Sequence, residues 1–320
     1  MRPPEFWNSN EQPARLARAA LAPLSWLYGG SVRWKHESAH PYRPKAKVIC
    51  IGNLTAGGSG KTPIAIAVAE ALTARGAHPF ILSRGYGGRI RGPVPVDLAH
   101  DTAHDVGDEP LLLARAAPVI VARDRKAGAE FADAHGADVI VMDDGHQNFD
   151  LAKDLSVVVV DAESGFGNGC VLPAGPLREP VAQGLARADA VVLVGDGTPS
   201  LDSFTCPVLR AHLVPPPNHG LQGASIVAFA GIGRPDKFFD TLRHLGARLI
   251  ETREYADHHA YTASEIARLK AKARGARLVT TEKDYVRLTQ AEREGVEFLP
   301  VHADFDDTAG FAALLQFALP

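Results

Sequence analysis

An apolar run, Lys47-Val48-Ile49-Cys50-Ile51, leads into Gly52-Asn53-Leu54-Thr55-Ala56-Gly57-Gly58-Ser59-Gly60-Lys61-Thr62 and then into the alanine- and isoleucine-rich stretch Pro63–Arg75. The first segment reads as a buried strand, the last as a helix, and the middle as the glycine loop joining them. Such a loop turns backbone N–H groups inward around a phosphate chain at a helix N-terminus. Lys61 is then set to reach the outer phosphates, and the Thr62 hydroxyl to hold Mg²⁺. The expected ligand is a nucleoside triphosphate, cradled by Thr55, Ala56, Gly57, Gly58, Ser59, Gly60, Lys61 and Thr62.

The loop departs from two common templates. A standard phosphate loop begins with glycine five residues before its Gly-Lys pair, where this chain has Thr55. The variant loop of ParA/MinD-like ATPases carries a lysine just before the paired glycines, where this chain has Ala56. A glycine-rich turn whose lysine faces solvent is the plain alternative.

After the loop, apolar runs alternate with helical patterns. Pro79–Ser83, Pro118–Ala122, Asp138–Met142, Ser156–Val160 and Ala190–Val194 read as strands, and Arg125–His135 as a helix. Strands apolar at every position point to a parallel sheet covered on both faces. The prolines of Val214-Pro215-Pro216-Pro217 read as a linker. Beyond it the alternation restarts, with strands at Ile226–Ala230, Arg248–Arg253, Ala276–Thr280 and Glu297–Pro300 and a helix at Asp236–Leu245. The expected organisation is α/β: an N-terminal segment over 1–46, a phosphate-loop core over 47–214, and a smaller α/β domain over 215–320.

The N-terminal segment differs from the rest. Residues 1–47 carry eight Lys and Arg against three acids, a local +5 in a chain of net −3. Leu16, Ala19, Ala20, Leu24 and Leu27 recur at helical spacing, and Trp7, Trp26 and Trp34 are all the tryptophans of the chain. The apolar run is shorter than the roughly 20 residues a membrane span needs. Arg15, Arg18 and Pro23 break a signal-peptide core. Two readings remain: an amphipathic helix lying in a membrane interface, or one packed on the protein's own core. Cys50, Cys170 and Cys206 are far apart, which fits a reducing cytosol rather than a zinc or disulfide framework. The net charge implies no affinity for nucleic acid.

Several polar clusters can carry chemistry. The strand Val139–Met142 ends in Asp143-Asp144, and a carboxylate at a strand tip beside the loop holds Mg²⁺ directly or through water. Spacing does not choose between the two. Gly107-Asp108-Glu109-Pro110 offers a general base and a second acid near the metal, or simply a helix cap. Asp257-His258-His259 supplies imidazoles that can orient a carboxylate, or an exposed polar loop. Arg84 and Tyr86, with Arg89 and Arg91, form a basic glycine-rich loop suited to an anionic substrate. Thr281-Glu282-Lys283-Asp284 has the wrong order for a guanine reader, which argues against a GTPase.

Taken in order, these motifs resemble the tetraacyldisaccharide 4′-kinase family of lipid A synthesis over nearly the whole chain. The matching pieces are the amphipathic N-terminus, Gly52–Pro63, Ser83–Gly87, Gly107–Pro110, Asp143–Gln147, Pro173-Ala174-Gly175-Pro176-Leu177-Arg178-Glu179, Phe229–Pro235, Asp257–His259 and Thr281–Asp284. The family commonly has Ser or Thr at the position of Thr55. It has Phe or Leu where this chain has His146, and often His where it has Asn148.

The resemblance implies transfer of the γ-phosphate of ATP to the 4′-hydroxyl of a lipid disaccharide 1-phosphate. It implies Asp108 as base, paired with His258, and Lys61 as the residue stabilising the β/γ phosphates. Thr62, Glu109 and Asp143 or Asp144 would organise Mg²⁺, and Arg84 and Tyr86 would line the substrate side. A monomer held peripherally at the cytoplasmic face of the inner membrane is expected. A kinase of a soluble metabolite would leave the N-terminal helix unused. A phosphate-loop switch or metallochaperone would need the guanine motif or signature lysine that the chain lacks.

Overall fold

The computed structural model describes residues 4–7, 9, 11–200, 204–217 and 220–319. Arg2, counted above in the basic N-terminus, and the terminal Pro320 lie outside them.

The chain opens with helix α1 (Gln12–Glu37), then runs through β1 (Lys47–Gly52), α2 (Lys61–Thr73), β2 (Pro79–Ser83), the short β3 (Val94–Pro95), α3 (Ala103–Val106), α4 (Asp108–Leu113) and β4 (Val119–Val121). It continues with α5 (Arg125–Ala134), β5 (Val139–Asp143), β6 (Leu155–Asp161), α6 (Val181–Leu185), β7 (Ala190–Val194) and β8 (Val208–Val214). The second half holds β9 (Ser225–Ala230), α7 (Pro235–His244), β10 (Arg248–Glu254), α8 (Ala263–Lys272), β11 (Arg277–Thr281), α9 (Glu282–Tyr285), α10 (Gln290–Arg293), β12 (Val296–Leu299), β13 (His302–Phe305) and α11 (Thr308–Leu314).

Two sheets result. The larger has nine strands in the order β13-β8-β7-β6-β1-β5-β2-β4-β3, and the smaller four in the order β10-β9-β11-β12. The larger is parallel except for its edges, where β3 and β13 pair antiparallel. All four strands of the smaller sheet are parallel. Ile49, Ile51, Val141 and Val157 pack under α2 on one face of the large sheet. Val48, Cys50, Ile140 and Met142 meet Ala129 and Ala132 of α5 on the other. Burial on both faces explains the unbroken Val/Ile runs, since neither side of these strands meets water. The small sheet is covered the same way, by Phe238, Phe239 and Leu242 of α7 and by Ile266 and Leu269 of α8.

Strand β1 lies between β5 and β6. The chain builds outward through β5, β2 and β4 on one side and through β6, β7 and β8 on the other. The glycine loop at the end of β1 therefore sits where the winding reverses, the position at which open parallel sheets bind ligands.

The expected domain boundary needs one correction. The small sheet follows the proline linker, but the chain does not end in that unit. β13 pairs with β8, matching His302 to Val214 and Phe305 to Ala211, and Phe305, Leu315 and Ala318 join the core beneath α2. Residues 302–319 belong with the large sheet, and the small unit is an insertion between two of its strands. Edge strand β13 is only half-buried, so its apolar signal is weak.

Helix α1 turns Ala14, Ser25 and Gly29 inward. Ser25 Oγ donates to the Val171 carbonyl at 2.8 Å. Leu16, Leu24, Trp26, Leu27 and Trp34 remain exposed, Trp26 at 83%. Among the described residues no helix is long and apolar enough to cross a membrane.

Candidate active site

The glycine loop is held from outside, which leaves its centre free. Asn53 Nδ2 donates to Ser59 Oγ at 3.1 Å and to the Gly57 carbonyl at 3.4 Å. The Ala56 N–H donates to Pro176 O, and the Arg178 N–H to Leu54 O, each at 2.7 Å. Thr55 bridges Leu177. Gly57 and Gly58 stay exposed between these anchors. Gly60 caps α2 with φ +84, a left-handed conformation that a side chain resists, so Lys61 and Thr62 open the helix at its positive end. Thr62 is partly buried there.

Beside the loop, register pairs Ile51 of β1 with Asp143 of β5. Ser83 Oγ donates to Asp143 Oδ2 at 3.3 Å, while the buried Oδ1 has no partner. An orphaned buried acceptor costs about 1–3 kcal/mol, and this one stands at a strand tip beside the glycine loop. Burial, then Glu109 and Asp144, push the Asp143 carboxyl up to about 7. Asp144 is the opposite case. Its Oδ1 accepts from Arg178 Nη1 at 2.8 Å and lies 3.7 Å from Lys61 Nζ. Burial acts to raise it, but Lys61 and Arg178 prevail and bring it down to about 2. Asp144 also adopts φ +49; with His258 at φ +57 it is one of two non-glycine residues in that region among those described. Such a conformation costs roughly 1–2 kcal/mol and persists where the surroundings impose it.

The second centre joins the two sheets. Asp108 begins α4 and is 4% exposed. The preceding Gly107 has φ +94, and a Cβ there would meet the Tyr86 carbonyl at 2.5 Å, so only glycine lets the Arg84–Gly88 loop lie against the helix start. Asp108 Oδ2 accepts from His258 Nδ1 at 2.9 Å and from Arg287 Nε at 2.7 Å, both from the small unit. Burial opposes ionisation, but the His258 hydrogen bond and the Lys283 and Arg287 charges outweigh it and hold the carboxyl well below the usual carboxylate range. Lys283 Nζ reaches Glu109 Oε1 at 3.1 Å, and Arg115 pairs with Glu282. On the other flank of the loop, Asp161 at the tip of β6 takes Arg234 and Lys237 of the small unit, each at 2.8 Å. Ion pairs to the small unit thus flank the glycine loop on both sides.

Tyr86 is exposed and meets the His258 ring edge-on at 5.5 Å between centroids. Arg84 is exposed at the same mouth. Arg89 is taken by Asp105 at 2.8 Å and serves the scaffold. His259 points away, to Glu265 at 3.2 Å and against Tyr255. Three charged groups at the site carried no expected role: Arg178, Lys283 and Arg287. Arg178 lies in the Pro173–Glu179 motif and Lys283 in Thr281–Asp284. Arg287 follows Lys283 by one helical turn, the i,i+4 spacing that puts two cations on one side. Among the described residues, no three His, Cys, Asp or Glu side chains form a ready metal cage.

The tetraacyldisaccharide-1-P 4′-kinase family profile matches residues 17–319. A tetraacyldisaccharide 4′-kinase of Paramagnetospirillum magneticum is 51% identical over 314 residues, 96% of this chain and 95% of that protein. Its namesake from Dinoroseobacter shibae is 51% identical over 326 residues, covering 98% and 97%. Among solved structures, LpxK from Aquifex aeolicus, crystallised with ATP, superposes with a TM-score of 0.76 at 26% identity, over 95% of this chain and all of that one. On sequence along nearly its full length, and on fold, the chain belongs to the tetraacyldisaccharide-1-P 4′-kinase family.

Proposed function

We propose that the chain is an ATP-dependent kinase that phosphorylates the 4′-hydroxyl of a tetraacyldisaccharide 1-phosphate, a step of lipid A synthesis. The observation that carries this reading is the 2.9 Å contact of His258 with Asp108 beside the phosphate loop. A nucleotide on the loop and an acceptor in the cleft would meet there. The acceptor oxygen attacks the γ-phosphorus, its proton passes to Asp108, and the bond to the bridging oxygen breaks with its electron pair leaving on ADP. Phosphoryl transfer of this loose type needs positioning and charge neutralisation more than a strong base, so a carboxylate of low pKa suffices. His258 orients that carboxylate, and Lys61 neutralises the β/γ oxygens. Arg84 and Tyr86 line the acceptor side of the mouth.

The residues fit Mg²⁺. Their donors are all hard oxygens, from Thr62, Glu109, Asp143 and Asp144, and Mg²⁺ takes only one or two protein carboxylates alongside phosphates and water. The orphaned Asp143 Oδ1 favours Asp143 as the direct ligand, because Asp144 is engaged by Arg178 and Lys61. When bound, the ion supplies charge neutralisation across the transferring phosphate.

The working division is an N-terminal helix, a phosphate-loop core that includes the C-terminal return, and an inserted small unit. The exposed Leu16, Leu24, Trp26, Leu27 and Trp34 support a peripheral seat on the cytoplasmic face of the inner membrane. Each such side chain left in water forgoes about 1.5–3 kcal/mol that burial in a bilayer interface would recover. The enzyme is read as a monomer that takes no nucleic acid.

The deciding experiment incubates the full chain with γ-labelled ATP and detergent-dispersed lipid disaccharide 1-phosphate. Label on the 4′-position is expected. An unlabelled lipid, with label released only as inorganic phosphate, would sink the reading.

A further inference from the structure

We infer that Arg287 is a positioning residue of the phosphoryl transfer: together with His258 it saturates one oxygen of Asp108 and so assigns the other, Oδ1, to receive the acceptor's proton. The inference rests on Asp108 being the base.

A carboxylate oxygen has two in-plane lone pairs. Asp108 Oδ2 is faced by three donors: His258 Nδ1 at 2.9 Å, Arg287 Nε at 2.7 Å and Arg287 Nη2 at 2.5 Å. That oxygen has no capacity left for a substrate hydroxyl. Oδ1 accepts from the Glu109 N–H at 2.9 Å and retains a lone pair. The two small-unit side chains therefore fix the carboxylate about its terminal torsion and leave one atom free for chemistry. As the new P–O bond forms, the acceptor proton goes to Oδ1, and the electron pair of the broken bridging bond leaves on ADP.

Arg287 is itself held with little freedom. Its side chain is 5% exposed. Nη1 donates to the Gly231 carbonyl at 2.7 Å and to Asp284 Oδ1 at 2.8 Å. Asp284 is fully buried and also takes the Gly231 N–H, the Tyr261 hydroxyl at 2.8 Å and the Thr281 hydroxyl at 2.6 Å. Four donors converge on the Asp284 carboxylate. This gives Thr281-Glu282-Lys283-Asp284 a purpose its order as a failed guanine reader conceals. Thr281 and Asp284 build a rigid seat for Arg287, while Glu282 and Lys283 reach Arg115 and Glu109 of the large sheet's unit. A guanidinium suits the task because its planar fork meets one oxygen through two N–H groups, which a lysine cannot do.

The test compares Arg287→Ala, Arg287→Lys, Asp108→Asn and wild type as full chains, with γ-labelled ATP and detergent-dispersed lipid disaccharide 1-phosphate. A misplaced reactive group costs on the order of 100-fold in rate. Arg287→Ala is expected to lose kcat by about that factor with KM for both substrates nearly unchanged. Arg287→Lys should fall between. Guanidinium ion, kept below denaturing concentrations, should restore part of the Arg287→Ala turnover and none of the Asp108→Asn turnover. Wild-type kcat in Arg287→Ala beside an inactive Asp108→Asn would overturn the Arg287 role alone. An active Asp108→Asn would remove the base assignment and this inference with it. A loss that tracks a lowered melting midpoint, without guanidinium rescue, would make Arg287 merely structural. Should Arg287→Ala not fold, Arg287→Lys decides: lowered kcat at preserved KM supports the role, and wild-type kcat refutes it.

Discussion

His258 reaches Asp108 from a left-handed backbone conformation, φ +57, with its Nδ1 2.9 Å from the carboxylate. A strained donor from the small unit thus meets a buried acid of the large one. General-base contributions are typically 10²–10⁴-fold. Asp108→Asn keeps the shape and removes the basic carboxylate oxygen, so kcat should fall within that range while ATP affinity persists. Single-turnover rates beside equilibrium nucleotide binding check this; loss of both would point to a folding defect instead.

The adjacent acids at the tip of β5 should separate in metal dependence. Asp143 has an unpartnered buried oxygen, whereas Asp144 is engaged by Arg178 and Lys61. Asp143→Asn should raise the Mg²⁺ concentration for half-maximal activity by about tenfold or more, within the range seen when a metal's carboxylate support is altered. Asp144→Asn should act mainly on kcat by releasing Lys61. Magnesium titrations of the two variants read this out, and equal shifts in both would contradict it.

Exposed apolar residues of α1 should matter for location and little for folding. Substitution of Trp26, Leu27 and Trp34 by serine should abolish co-sedimentation with anionic phospholipid vesicles. Surface changes of this kind alter stability by no more than about 0.5 kcal/mol each. Turnover of detergent-dispersed lipid should then stay near wild type. Vesicle binding that survives the triple substitution would exclude α1 as the anchor.

His146 should give folding a pH dependence. The ring is fully buried, with Nε2 2.9 Å from the Gly184 carbonyl and Nδ1 without a partner. Burial, then Lys153 and Arg187, lower it from the ordinary 6.5 to about 4. As pH falls, the unfolded chain takes the proton first, so stability drops from about pH 6.5 and levels off once pH passes about 4. The full effect is on the order of 3 kcal/mol. Urea midpoints measured across that window should be flatter in His146→Leu than in wild type.

The parallel core was legible in sequence because Val48–Ile51 and Val139–Met142 are buried on both faces and show it as unbroken apolar runs. The phosphate loop was legible because glycine and lysine spacing is local. The pairing of Asp108 with His258 spans 150 residues, and only the family resemblance suggested it. Arg287 escaped notice because its partner is 179 residues away and one arginine in a polar turn carries no pattern. The return of the chain to the large sheet was missed because His302–Phe305 is a short edge strand with one buried residue. Long-range ion pairs and half-wet edges leave no periodic trace.

The small unit leaves the large sheet at the end of β8 and comes back at the start of β13, where Val214 and His302 are paired neighbours. Neighbouring strands lie about 4.8 Å apart. Two crossings so close together constrain the small unit little, so its seat is set by side chains: Arg287 on Asp108, Lys283 on Glu109, Lys237 on Asp161, and Val286 buried among Val106, Leu111 and Leu112. The geometry around Asp108 therefore depends on the same contacts that hold the two units together.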